Sequence, residues 1–129
     1  MESTLPYTSI HCRTHYSLLR GVLSPEQVVE AAVSQSAQAV GIADINSFYG
    51  LIRFTAAARR RGLKALYSTA IYDQENYLCS LLCLNPSGFA RANVILSRHI
   101  DAQNRSSSSA GGGRVTCVRY DPITDLIEE

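Results

Sequence analysis

Residues 38–72, QAVGIADINSFYGLIRFTAAARRRGLKALYSTAIY, decide the fold. Gln38–Ala43 is an apolar, buried-type strand that ends at Asp44. Asn46-Ser47 then opens a helix, FYGLIRFTAAARRR, over 48–61. Gly62 closes that helix as a left-handed cap residue, behind three arginines that complement the negative end of its dipole. Leu63–Tyr72 returns to strand, as one strand or two short ones. Strand, helix and strand in that order make a β-α-β unit, whose strands pair in parallel.

The flanks extend the alternation. Upstream, YTSIHC at 7–12 reads as a short strand and RTHYSLLRGVL as a loop. S-P-E-Q at 24–27 starts a helix: Ser24 caps, Pro25 suits the first turn and Gln27 completes a capping box. Val28, Val29, Ala32 and Val33 keep helical spacing, to about Ser36. Downstream, Asp73–Asn76 is a turn, Tyr77–Leu84 a strand, and Asn85-Pro86-Ser87-Gly88 leads into the helix FARANVILSRHI. AQNRSSSSAGGG at 102–113 is low-complexity and expected to be a flexible loop. The end, RVTCVRYDPITDLIEE at 114–129, reads as a short strand and a helix begun by Asp121-Pro122.

The predicted order is β-α-β-α-β-β-α, an α/β fold with a mainly parallel sheet and flanking helices. Such sheets carry functional residues at the carboxyl ends of their strands. His11 and Asp44 both fall there. With 129 residues, 46% hydrophobic, the chain can bury a core of one domain or part of one. A net charge of +1 exerts no global pull on nucleic acid or membrane. No apolar run reaches the ~18 residues of a membrane span, and MESTLPYTSI has no signal-peptide pattern. Cys12, Cys79, Cys83 and Cys117 show no C-x-x-C spacing and are expected as reduced thiols in a cytoplasmic protein.

Four segments, IHCRTHYSLLRG, VGIADINSFYGLIRF, RGLKALYSTAIY and LLCLNPSGFARANVILSRH, stand in the order and spacing of one kind of domain. Together they resemble the PHP (polymerase and histidinol phosphatase) domain found at the N-terminus of bacterial DNA polymerase III alpha subunits and their error-prone relatives. The likeness covers residues 7–101 and about half of a barrel, with 114–129 as a continuation of the domain after the loop. It implies a partial, distorted TIM-like β/α barrel, whose active relatives hold divalent metals at one mouth. It also implies a DNA-directed DNA polymerase (nucleotidyltransferase) as the parent protein, and partners in the polymerase body or a proofreading exonuclease subunit. An open sheet has exposed edges, so a homo-oligomer or further sequence is expected to cover them. Contact with nucleic acid would be indirect.

Under that resemblance the metal ligands are missing. His11 stands at the first ligand position, but Arg13 and Arg20 replace a histidine and an aspartate, Ile45 a histidine, Ala70 a carboxylate and Leu78 a histidine. Arginine cannot be deprotonated to ligate, and hydrocarbon offers no lone pair. His11 and Asp44 are therefore expected as remnant positions, with no metal cofactor and no catalytic residue. His11 reads as a hydrogen-bonded strand-end histidine. Asp44 reads as a structural aspartate on the Asn46-Ser47 turn.

Other candidates weigh less. Arg13, Arg20 and Ser47 are an anion-site candidate in the vacated mouth, but the arginines read more readily as surface residues or as partners of Asp44. Arg59-Arg60-Arg61 reads as a solvated helix end rather than a phosphate contact. Cys79 and Cys83 read as small core residues. Ser17 has no nucleophile elbow around it. The expected function is a degenerate PHP domain acting as a structural and interaction module in DNA replication or repair. The competing reading is a metal-dependent PHP phosphoesterase or 3′-5′ exonuclease using Zn or Mn, with His11, His15, Asp44 and His99 converging.

Overall fold

A computed structural model describes residues 7–108 of the chain. The elements are β1 (Thr8–Cys12), α1 (Pro25–Ser34), β2 (Ala39–Ile45), α2 (Leu51–Arg60), β3 (Lys64–Asp73), β4 (Asn76–Cys83) and α3 (Pro86–Ser108). The sheet order is β1-β2-β3-β4. β1 and β3 flank β2 in parallel, and β4 returns antiparallel on β3. The α/β alternation and the mainly parallel sheet are those read from the sequence.

Local chemistry sets the helix ends. The Gln27 amide donates to Ser24 Oγ at 3.2 Å and the Ser24 amide to Gln27 Oε1 at 2.8 Å, a complete capping box with Pro25 in the first turn. Gly62 ends α2 at φ +65°, the left-handed conformation glycine adopts without strain. α2 begins at Leu51, later than the sequence pattern suggests. The chain leaves β2 through Asn46 at φ +48°, and the Asn46 side chain bonds the Tyr72 backbone in both directions, each at 2.8 Å. Those bonds hold the segment before Leu51 as a turn.

α3 corrects the expectation of a flexible loop over 102–113, because residues 102–108 continue the helix. His99 and Gln103, four apart on one face, both donate to the Tyr72 carbonyl, at 2.7 and 2.9 Å. Docking of one helix face propagates helix through a polar sequence that would not hold it alone. Residues 109–113, the continuation at 114–129 with its expected strand and helix, and Cys117 lie outside the described residues.

All three helices cover one face of the sheet. Ala65 packs with the α1–α2 cluster of Val28, Val29, Val40, Ile42 and Phe54. Ile71 packs with Leu81, Ala92, Ile95 and Leu96 on α3. The two lie an even number of residues apart on β3 and so share a face. Cys79 and Cys83 join the α3 cluster as small apolar groups, and burial pushes the Cys83 thiol pKa up.

The bare face is concave. His11 on β1 and Ser80 on β4 meet at 3.1 Å, although a flat sheet would separate those strands by about 14 Å. Gly41 permits the curl: a Cβ there would lie 3.1 Å from Ile10 O and 3.2 Å from Leu66 Cβ. Ser68 Oγ donates to Ile42 O at 2.7 Å and lies 3.3 Å from Ile10 O, drawing β3 toward β1 over the missing side chain. The result is half of a barrel, with its mouth at the carboxyl ends of β1–β3.

Candidate site at the mouth of the half-barrel

Asp44 organises the mouth. It is 1% exposed and accepts three hydrogen bonds: from the Thr14 amide (2.8 Å), Thr14 Oγ1 (2.7 Å) and Ser17 Oγ (2.7 Å). Ser17 Oγ in turn accepts from the Ile45 amide at 3.0 Å. The loop after β1 is thereby stapled to the end of β2. Backbone bonds tighten it, from Ser17 to Thr14 O, and from Arg20 and Gly21 to Ser17 O. Gly21 packs so closely that a Cβ would fall 2.0 Å from Thr14 O. The Asp44 side chain accepts from Thr14 and Ser17, not from the Asn46-Ser47 turn. With its hydroxyl placed between Asp44 and Ile45, Ser17 is a loop residue.

The arginines converge on Tyr72 rather than on Asp44. Arg13 Nη2 donates to Tyr72 Oη, and its guanidinium carbon lies 5.3 Å from the ring centroid. Arg20 lies 5.6 Å from the same centroid and pairs with Glu75 on the β3–β4 turn. Guanidinium groups over an aromatic face gain cation–π attraction. The expected alternative of an arginine–Asp44 salt bridge is therefore corrected: the buried carboxylate accepts from Thr14 and Ser17, and both arginines lie on Tyr72.

A cleft of about 350 Å³ opens beside Tyr72, with Tyr16, Arg20, Asn46, Ser47 and Tyr49 among its walls. Ser47 is 5% exposed and its hydroxyl has no hydrogen-bond partner; Arg13 Nε is likewise buried without one. Arg13 touches Tyr72 but is not among the residues that line the cleft, whereas Arg20 and Ser47 are.

The histidines disperse. His11 bonds Ser80 and meets Tyr77 edge-on, with ring centroids 6.1 Å apart. Burial, and then the charge of Arg13, hold its pKa below the ordinary value. His15 lies against Tyr16 at 4.7 Å, and His99 is on the helix side at the Tyr72 carbonyl. His11, His15, Asp44 and His99 therefore do not converge. No three His, Cys, Asp or Glu side chains among the described residues are grouped to hold a metal ion. The chemistry of the mouth gives the same answer for a dication cluster. Two guanidinium groups flank the Tyr72 ring, Ile45 and Ala70 bring no donor, and the Asp44 oxygens are already bonded. These residues do not fit the metals held by active members of the fold.

Arg59–Arg61 end α2 just before β3 begins, at the opposite end of the sheet from the mouth. Arg61 pairs with Glu30 at 3.4 Å. Sequence reasoning missed Asn46, Tyr72 and Glu75 as site residues. The strand-end rule that marked His11 and Asp44 also marks Tyr72, at the end of β3, and could have found it.

A family model for the PHP domain matches residues 9–121. The error-prone DNA polymerase of Corynebacterium glutamicum is 29% identical over 127 residues, covering 98% of this chain and 11% of that protein. The DNA polymerase III subunit alpha of Buchnera aphidicola subsp. Schizaphis graminum is 28% identical over 98 residues, covering 71% of this chain and 8% of that protein. The chain thus spans about a tenth of the length of these curated relatives. A crystal structure from Bifidobacterium adolescentis, described as a metal-dependent phosphoesterase, superposes with a TM-score of 0.59 at 26% identity, over 78% of this chain and 35% of that one. No helix among the described residues is long and apolar enough to cross a membrane. By sequence and by architecture, the chain belongs to the PHP domain family.

Proposed function

We propose that this chain is a degenerate PHP domain that serves a DNA polymerase III alpha-type protein as a structural and interaction module. Its setting is DNA replication or repair in the cytoplasm, and it carries no metal-dependent catalysis of its own. The observation that supports this reading is the mouth itself, where Arg13 and Arg20 gather on the Tyr72 ring. Like charge repels dications, and a guanidinium cannot release a proton to ligate one.

A module needs a rigid surface to offer. Leu18, Leu19 and Val22 are almost fully exposed on the loop that Asp44 staples down. Leu19 sits at φ +61°, a strained conformation for a residue with a side chain. Clustered exposed hydrocarbon on a fixed loop suits docking against another protein surface. The polymerase body is the partner this reading favours; an exonuclease subunit and a second copy of the chain are the alternatives.

The test is co-purification of the chain with the polymerase body expressed separately. The variant carrying Leu18→Ser and Leu19→Ser is expected to lose the complex and keep its melting temperature. A second reading, a metal-dependent phosphoesterase or 3′-5′ exonuclease, draws on the likeness to the Bifidobacterium structure. Stoichiometric zinc or manganese in the purified protein, with phosphodiester hydrolysis that His11→Ala abolishes, would replace the module reading with this one.

A further inference from the structure

We infer that the end of the sheet opposite the mouth is a contact surface for the phosphodiester backbone of duplex nucleic acid, made by Arg59, Arg60, Arg61 and Lys64. This goes beyond the module reading, under which contact with nucleic acid is indirect, and does not depend on it.

The path of the chain gathers the charges. α2 ends at Arg60, Arg61 caps it, Gly62 turns the backbone at φ +65°, and β3 begins at Lys64. Four cations thus stand within six residues, all of them exposed. They lie at the amino end of the sheet, where Lys64 stands in register with Ala39 at the start of β2. Successive helical residues diverge by about 100°, so Arg59 and Arg60 leave α2 on different flanks.

A solvated helix end accounts for part of this charge. Arg60 Nε donates to Ala56 O at 3.3 Å, and Arg61 pairs with Glu30 at 3.4 Å. Arg59 and Lys64 have no ion-pair partner among the described residues. The acidic residues gather at the other end. Asp44, Asp73 and Glu75 lie toward the mouth, and Glu26, in the first turn of α1, is held by Arg53. Asp101 lies on α3 between His99 and Gln103, which reach the Tyr72 carbonyl at the mouth end. Glu30 and the half charge of a helix terminus leave most of the four cations without compensation. Like charges held together repel one another, and a polyanion relieves that repulsion.

The chemistry favours a phosphate backbone. Guanidinium forks match phosphate oxygens, and separate cations on an open surface suit a repeating polyanion. No aromatic residue stands among 59–64, so this run offers bases no stacking surface, and duplex is favoured over single strand. An anionic membrane also presents phosphates, but lasting contact with one draws on apolar side chains that enter the lipid. Here Ala57 and Ala58 are in the core, and Leu63 packs against it.

The experiment is an anisotropy titration of the full 129-residue chain into a labelled DNA duplex, an RNA duplex of equal length and a single strand. Duplex affinity is expected to fall about 50-fold between about 50 and 200 mM salt, the slope for three to four neutralised phosphates. Arg59→Gln and Lys64→Gln should each weaken binding several-fold and lower that slope by about one. Both side chains are exposed and unpaired, so the urea midpoint should hold or rise. Arg53→Gln removes the same charge from the mouth half of α2 and should leave the slope unchanged. Binding of either duplex supports the inference, and the pair of duplexes identifies which nucleic acid supplies the backbone. Absence of duplex binding at about 50 mM salt would overturn it, as would tighter binding to the single strand. So would an Arg53→Gln variant as impaired as Arg59→Gln, or sedimentation with phosphatidylserine vesicles in place of duplex binding.

Discussion

Replacing Asp44 with alanine removes the shared acceptor of the Thr14 amide, the Thr14 hydroxyl and the Ser17 hydroxyl. The two hydroxyls can rotate toward other acceptors, but the Thr14 amide is fixed and becomes a buried orphan. Hydrogen bonds to a charged group contribute ~1.5–3 kcal/mol each, and one orphaned buried donor costs ~1–3 kcal/mol. Allowing for relaxation, Asp44→Ala should cost about 3–5 kcal/mol, a large share of the ~5–15 kcal/mol that holds a domain of this size. In urea, with a slope of ~1–2 kcal/mol per molar, the midpoint should fall by about 2 M or more. Asp44→Asn should cost less than half as much. Its amide oxygen can keep the Thr14 amide and Ser17, and its NH₂ can donate to Thr14 Oγ1 with that hydroxyl reversed. Hydrogen exchange should show the backbone bonds of Arg20 and Gly21 to Ser17 opening first. An Asp44→Ala protein within about 1 kcal/mol of the parent, or Asn as damaging as Ala, would refute the staple.

Gly21→Ala should destabilise by about 2–4 kcal/mol in urea unfolding, because the new methyl would overlap the Thr14 carbonyl and the loop must shift. The lowered His11 pKa means the folded protein binds this proton less readily than the unfolded chain. Stability attributable to His11 should therefore be present above its ordinary value of 6.5 and be lost as pH falls below it; His11→Gln should flatten that part of the curve. His99→Ala should cost about 1–3 kcal/mol, since the Tyr72 carbonyl keeps Asn46 and Gln103, and amide exchange should accelerate at residues 100–105 before the rest of α3.

Interactions within a few residues were the legible ones. The Ser24–Gln27 capping box, the Gly62 cap and the apolar runs of β2 and β3 are short-range signals, and the elements they mark, α1, α2, β2 and β3, formed. His11 and Asp44 lie near the carboxyl ends of β1 and β2, where the sequence pattern put them. The length of α3 was not legible, because composition over 102–108 describes an isolated chain, whereas His99 and Gln103 act through β3.

The amino-acid sequence by itself determined the family and the β-α-β order, because these follow from residue identity and local periodicity. Only the tertiary structure decided what Asp44, Arg20 and Ser47 do. Their partners lie 27–30 residues away for Asp44 and on a later hairpin for Arg20, and Ser47 has none. Whether a polar atom is saturated, paired or left open depends on how the sheet curls, and that curl turns on contacts between strands that no local pattern encodes.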